Sequence, residues 1–454
     1  MVSVESILAG YNPWWSRPEA RLPVRHRNRR ESAFQQLKAA AGDNRSRSLV
    51  LRGPRRVGKS VLLHQLASWL LDEARIPPSR LLHVDLSDPL LDRSPGGPEL
   101  LDAIHSAWPS GDAAGPRIAL LDEIQSVPSW DRWLKNALDW KELRVVATGS
   151  SSMHLVRGGR ESGRGRWDEE TLEALTFREF LALQAAPDQS AESVLDLRPG
   201  ALLDFLVFGG SPEHLGWSGS SFELHRRVRE DVDRDLRVDL AGTVRDPEST
   251  SRLYRALAVD SGQNVGSQKL ADALGLDRKT IASHVGHLVD MMLIERVAPA
   301  SSAPGGAPRS LRKRLSDDRL FTRDHGHVSA FAGTEHPLAE SHVAGRVFET
   351  AVLRALRAVE GVLGCREIGY LRADESHEID FVLTLPDGQV GIEVTASGRA
   401  DKKCASAARA ADRFGVPALV VSGMNGRGES QGVPHVGLTE FLLDPVAALA
   451  EVRR

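Results

Sequence analysis

Residues 48–60, SLVLRGPRRVGKS, decide how the first third of this chain folds. Ser48 to Leu51 is the kind of short apolar run that makes a buried strand. Behind it, Val61, Leu62, Leu63, Leu66 and Leu70 recur at the spacing of a helix. Between them, Gly53, Pro54, Arg55, Arg56, Val57, Gly58, Lys59 and Ser60 fit G-x-x-x-x-G-K-[ST], in the strand–loop–helix setting that pattern requires. The glycines let successive N–H groups point at phosphate oxygens, and the helix start adds its positive end. Lys59 places a point charge at the β- and γ-phosphates of ATP, and Ser60 offers a hydroxyl to Mg²⁺.

A second run, IALLDE (118–123), supplies the other half of such a site. Ile118 to Leu121 read as a buried strand ending in Asp122, which is placed to hold the Mg²⁺ shell. Glu123 beside it is the group to orient or deprotonate an attacking water. In ATGSSS (147–152), Thr148 and Ser150 are candidates to bond the γ-phosphate or that water. Transfer also needs a cation on the developing charge, and Arg157, Arg160, Arg164 and Arg166 follow in the next loop. Short strands alternating with amphipathic helices over 48–152 predict a mainly parallel sheet covered on both faces.

The chain has 454 residues, more than one ordinary domain. With 58 basic and 61 acidic residues its net charge is −3, so any nucleic-acid contact must come from a local patch rather than a global field. Cys365 and Cys404 stand in no metal-ligand spacing. No run has the ~18 apolar residues of a membrane span, and the first residues lack the apolar stretch of a signal peptide. The expectation is a cytoplasmic protein with no membrane partner.

The order GPRRVGKS, LLDEIQSVPSW, ATGSSS and GRWDEETLEALTFREF resembles prokaryotic AAA-plus-type P-loop ATPases carrying a C-terminal domain of unknown function related to restriction endonucleases. Gly165, Arg166 and Leu175 to Phe180 match that family's spacing, and the resemblance nominates Arg166 as arginine finger or sensor; Ala174 departs from its usual proline. FGGSPEHL (208–215) resembles its Gly-Gly-x-Pro-Glu signature, and LFTRDHGHVSAF its Asp-x-Gly turn at Asp324 and Gly326. The resemblance further implies self-association as a homo-oligomer.

QKLADALGLDRKTIASHVGHLVDMMLIERV (268–297) reads as a winged helix-turn-helix. Leu270, Ala273 and Leu274 are expected to pack its first helix, and Ile281, Val285 and Leu288 the second. Arg278, Lys279, Ser283, His284 and His287 would then face outward, toward double-stranded DNA if this module binds it. Arg309, Arg312, Lys313 and Arg314 form a cationic wing tip.

From about 340 the pattern becomes helix, three strands, helix and strand, the core order of the PD-(D/E)xK nuclease-like fold. In EIDFVLTLPDGQVGIEVT (378–395) two strands flank a Pro-Asp-Gly turn. Asp380, Glu393 and Glu349 on the preceding helix are the acids that could share a second metal ion. Thr395 stands where such nucleases carry lysine, which argues for a scaffold kept and cleavage lost. Lys402 and Lys403, on the next helix, supply a relocated lysine if they reach back into this site; the role expected for them is an exposed helix start.

The fold class expected is α/β: a P-loop AAA-plus-type parallel sheet, a helical winged helix-turn-helix middle module and a restriction-endonuclease-like C-terminal domain. The boundaries expected are 1–30 (extension), 31–182 (ATPase domain), 183–250 (helical lid), 251–315 (winged helix) and 316–454 (nuclease-like domain). The function expected is an Mg-dependent ATPase whose cycle drives or switches DNA- or partner-binding domains. The alternatives are an ATP-regulated binding switch with little turnover and an ATP-gated metal nuclease.

Overall fold

The computed structural model describes residues 3–23, 28–42, 47–91, 98–109, 115–139, 143–150, 166–186, 189–241, 244, 246–300, 318–334, 336–374, 377–397, 400–423 and 425–452. They fall into two units, residues 1–173 and 174–454.

In the first unit, five strands form one parallel sheet: β1 (Ser48–Gly53), β2 (Leu81–Asp85), β3 (Arg117–Asp122), β4 (Leu143–Ser150) and β5 (Trp167–Thr171), in the order β2-β3-β4-β1-β5. The pleat sends alternate residues to opposite faces. Leu49 and Leu51 join a core with Phe34 and Leu37 of the helix Glu31–Gly42 and Leu62, Leu63 and Leu66 of the helix Lys59–Asp72. Val50, Val84, Leu121 and Val145 face the other way, onto Ile104, Trp130, Trp133 and Leu134. Both faces are apolar because both are covered, as a parallel sheet requires.

The first residues belong to this unit. Ile7 and Leu8 of the helix Val4–Tyr11 enter one core and Trp14 the other. Asn12 is fully buried; its amide donates to the His83 carbonyl at 2.9 Å and accepts from the His83 N–H at 2.7 Å.

In the second unit a series of helices runs from Phe177–Ala182 to Arg278–Asp290, and the last two, Ser267–Leu274 and Arg278–Asp290, are joined by a turn at Gly275. An antiparallel pair, β6 (Ile294–Val297) with β7 (Arg319–Thr322), follows them. The wing-tip residues Arg309, Arg312, Lys313 and Arg314 lie outside the described residues. Two details correct the sequence reading. Ala271, not Ala273, packs beside Leu270, while Ala273 is exposed. His284 is buried at 5% exposure and bonded to the Thr250 hydroxyl at 2.6 Å, because it shares the i, i+3, i+4, i+7 stripe of Ile281, Val285 and Leu288.

Asp324 caps the helix His325–Phe331 and accepts the Gly210 N–H at 3.0 Å, so the two glycine-bearing signatures of the sequence meet. After the helix Ser341–Leu363 come β8 (Glu367–Asp374), β9 (His377–Leu385) and β10 (Gly388–Thr395), then the helix Ala400–Phe414 and β11 (Ala418–Ser422). Two further strands, β12 (Arg427–Ser430) and β13 (Val433–Gly437), extend the sheet to β12-β13-β11-β10-β9-β8. Ile392 and Val394 face the core under Ser341–Leu363, whereas Cys404 and Ala407 of the second helix pack on Val420 from the opposite side.

Candidate functional site

The parallel register brings the C-terminal ends of β1, β3 and β4 together. Gly53 pairs with Ser150 and Leu121 with Ala147, so the loop Gly53–Ser60, Asp122 and Thr148 share one edge of the sheet. This is the edge where open α/β sheets bind ligands. A side chain at Gly53 would put Cβ 2.4 Å from the Leu172 carbonyl oxygen, and Gly58 has φ +93°, so neither position tolerates another residue without strain. Arg56 also adopts positive φ. Val57 is buried, and its carbonyl and that of Glu173 are held by Arg30 at 3.3 and 2.7 Å. Lys59, 5% exposed, donates to the carbonyls of Gly53 (2.9 Å) and Pro54 (2.8 Å), which keeps its ammonium over the loop. Ser60 is half-buried in the first turn of the following helix.

Asp122 is 4% exposed and accepts a hydrogen bond from the Thr148 hydroxyl. The same hydroxyl oxygen accepts the Glu123 N–H at 3.1 Å. Glu123 has φ +51° and ψ +49°, a left-handed conformation that strains a non-glycine residue by about 1–2 kcal/mol. Gln125, in the turn Ile124–Ser126, donates to the Glu123 carboxylate and to the Ser150 hydroxyl at 3.0 Å. Ser60 and Asp122 are hard oxygen donors beside a lysine, a set that fits Mg²⁺ carried by a nucleotide phosphate.

Arg166 lies elsewhere. Trp167 pairs with Ser48 at the N-terminal end of β1, five residues or roughly 16 Å of strand from Gly53. Arg166 forms an ion pair with Asp139 at 3.3 Å. The register thus separates it from the loop of its own chain. Arg157, Arg160 and Arg164 lie outside the described residues.

In the second unit, the antiparallel register that pairs Ile392 with Phe381 sets Asp380 and Glu393 on the next rung. Asp380 is 6% and Glu393 1% exposed. Thr395 bonds Ser397 instead of the acids. The cation comes from Lys403, whose Nζ lies 2.6 Å from Glu393 and 3.6 Å from Asp380; Lys402 is the exposed one, which corrects the expectation for Lys403. Lys403 shares the sheet-facing side of its helix with Ala407 and Ala410, at i, i+4 and i+7. From β7, buried Arg319 reaches Glu378 and lies 3.7 Å from Asp380.

These contacts set the charges. Burial and the neighbouring Asp380 push Glu349 up to about 8 and lift Glu393 well above the usual carboxylate range. Burial also acts to raise Asp380, but Lys403, Glu393, Arg319 and the Val394 N–H hold it below its ordinary value. One firmly ionised carboxylate therefore sits between two cations. Among the described residues no group of three or more His, Cys, Asp or Glu side chains is arranged to hold a metal ion.

The strand order and the Gly53–Ser60 loop with its Asp122–Glu123 pair define residues 1–173 as a P-loop unit of the AAA-plus type. In agreement, residues 45–181 match the family model described as an AAA domain. Residues 200–337 and 344–440 match two domains of unknown function (DUF8612 and DUF4143). An uncharacterized protein of Methanocaldococcus jannaschii is 31% identical over 141 residues, 30% of this chain and 28% of that protein. The chain thus spans under a third of that relative. An uncharacterized protein of Haemophilus influenzae is 24% identical over 366 residues, 76% of this chain and 88% of its own.

Two solved structures are also similar. The Thermotoga maritima RuvB Holliday junction branch migration motor is 17% identical, with 60% of this chain and 90% of that one covered at a TM-score of 0.31. The Aeropyrum pernix Orc1 protein in complex with DNA is 14% identical, with 70% and 95% covered at 0.30. At such TM-scores the likeness extends to no property of this chain. No helix among the described residues is long and apolar enough to cross a membrane.

Proposed function

We propose that this chain is an Mg-dependent ATPase whose nucleotide cycle drives or switches its C-terminal domains against DNA or a protein partner. The observation that carries this reading is the shared sheet edge, where Lys59, Ser60, Asp122 and Glu123 stand together. Lys59 takes the β- and γ-phosphates, and Ser60 and Asp122 hold Mg²⁺, which offsets charge on the phosphates when bound. Glu123 accepts the proton of the attacking water. Arg166, held away from its own loop, acts on a neighbouring copy in a homo-oligomer. The five-part division at residues 30, 182, 250 and 315 is kept as a proposal about roles within the two compact units. Steady ATP turnover is expected, lost in Lys59→Ala and reduced about 10²–10⁴-fold in Glu123→Gln. Tight ATP binding without turnover would instead make the chain a nucleotide-regulated binding switch.

A metal-dependent nuclease is the second reading, and one observation favours it: Lys403 supplies at the acid pair the cation that Thr395 does not. Plasmid cleavage in Mg²⁺ or Mn²⁺ with ATP that disappears in both Asp380→Ala and Lys403→Ala would establish it. Intact plasmid, or cutting that survives either change, removes it.

A further inference from the structure

The carboxylate of Glu123 is not alone at the end of β3. Its left-handed backbone turns residues 124–126 back as a single 3-10 turn, closed by the Ser126 N–H on the Glu123 carbonyl at 3.0 Å. That turn sets the half-buried Gln125 between the Glu123 carboxylate and Ser150, the last residue of β4. The Ser150 N–H can only donate, so its partner at 3.2 Å is the amide oxygen of Gln125. The amide nitrogen is thereby fixed toward the other two groups, where it donates to Glu123 and to the Ser150 hydroxyl. One side chain thus uses its donor and acceptor ends to tie the candidate base to the strand that borders the phosphate loop.

From this geometry we infer that Gln125 is the positioning residue for Glu123, coupling its orientation to the end of β4. The inference rests on the ATPase reading of the same site. The physical ground is twofold. A half-buried carboxylate with a free rotor samples several orientations, and a base displaced by about 1 Å loses on the order of 10²-fold in rate. The strain at residue 123 persists because surrounding contacts over-determine it, namely Thr148 on its N–H and Gln125 on its carboxylate. Ser150 pairs with Gly53, so a ligand that shifts the end of β4 also shifts Glu123 through the amide.

The test is ATP turnover by the full chain with Gln125→Met, which keeps length and removes every hydrogen bond. The turnover number is expected to fall about 10- to 100-fold, with KM for ATP and ADP affinity within about twofold of wild type. In a Glu123→Gln background the same change is expected to alter turnover by less than about twofold, since a residue acting through Glu123 has nothing left to position. Gln125→Met turnover within about twofold of wild type, or equal losses in both backgrounds, overturns the inference. Should Gln125→Met lose ADP binding, Gln125→Glu takes its place. It keeps an acceptor for the Ser150 N–H but opposes Glu123 with a carboxylate, and the same outcomes apply. A wild-type chain that binds ATP without turnover overturns the ATPase reading and this inference together. Wild-type turnover beside an unimpaired, folded Gln125 variant overturns this inference alone.

Discussion

Both sheets of this protein carry carboxylates in or just beyond their strands, and they treat them in opposite ways. At the edge of the first sheet, Asp122 and Glu123 are held by neutral donors, a threonine hydroxyl and a glutamine amide. The lysine of that site is tied to backbone carbonyls instead. In the second sheet, Lys403 and Arg319 lie directly on Asp380 and its neighbours. A buried charge without its partner is costly, so each acid must find compensation somewhere. At the edge of the first sheet it comes, among the described residues, from neutral donors. In the second sheet it comes from cations of the chain itself.

Three measurements break or sharpen this contrast, beginning with the largest effect. His83, on β2 of the first unit, is held down to about 4, first by burial and then by His64. A histidine lowered in the folded state is bound by more protons when unfolded, so stability is complete above its unfolded value near 6.5 and lost as pH falls toward 4. Over that full window the loss is on the order of 3 kcal/mol, from about 2.5 pH units at 1.36 kcal/mol each. Urea unfolding of wild type and His83→Leu at several pH values measures it; parallel pH profiles would refute the assignment.

Next, Mg·ATP at a hundredfold its dissociation constant should stabilise the first unit by about 2.7 kcal/mol. Mg²⁺ alone should leave the second unit's melting temperature where it is. A metal-induced rise in that temperature that vanishes in Asp380→Ala would dissolve the contrast and turn the second sheet into a metal site.

The smallest effect concerns the native counter-ion. Lys403→Met removes one cation from a pair whose lysine side chain is 30% exposed, and should destabilise the second unit by about 2 kcal/mol. Denaturant midpoints of that unit's transition report it, and an additional Glu393→Gln should recover part of the loss. A midpoint unchanged by Lys403→Met would mean that Arg319 alone suffices.

What could be read from the sequence was whatever is local. Gly53 to Ser60 and the Asp122–Glu123 strand end declare their chemistry within a few residues, and the alternation around them declares the parallel sheet. His284 was misread as outward-facing, although its place on the apolar stripe outweighs its polarity. Lys403 left only a faint mark, the shared face with Ala407 and Ala410. Gln125, Arg30, Asn12 and Arg319 left none, because a glutamine after an acid or an arginine before a helix has no motif. Their partners are set by strand register and by contacts as much as 143 residues apart. Strands β12 and β13 were missed for a similar reason: exposed Arg427, Gly428 and Glu429 carry no apolar alternation to announce an edge.

The bond between Asn12 and His83 has a use beyond packing. β2 is the border strand of its sheet, and a bare border is a template on which another chain can add itself. By presenting amide donor and acceptor to one residue of that border, Asn12 plays the part of a single missing rung, and the indoles of Trp14 and Trp15 donate to the Leu81 carbonyl below it. The leading segment thus covers part of that border, and trimming the protein past Trp15 is expected to open it to strand-by-strand self-addition.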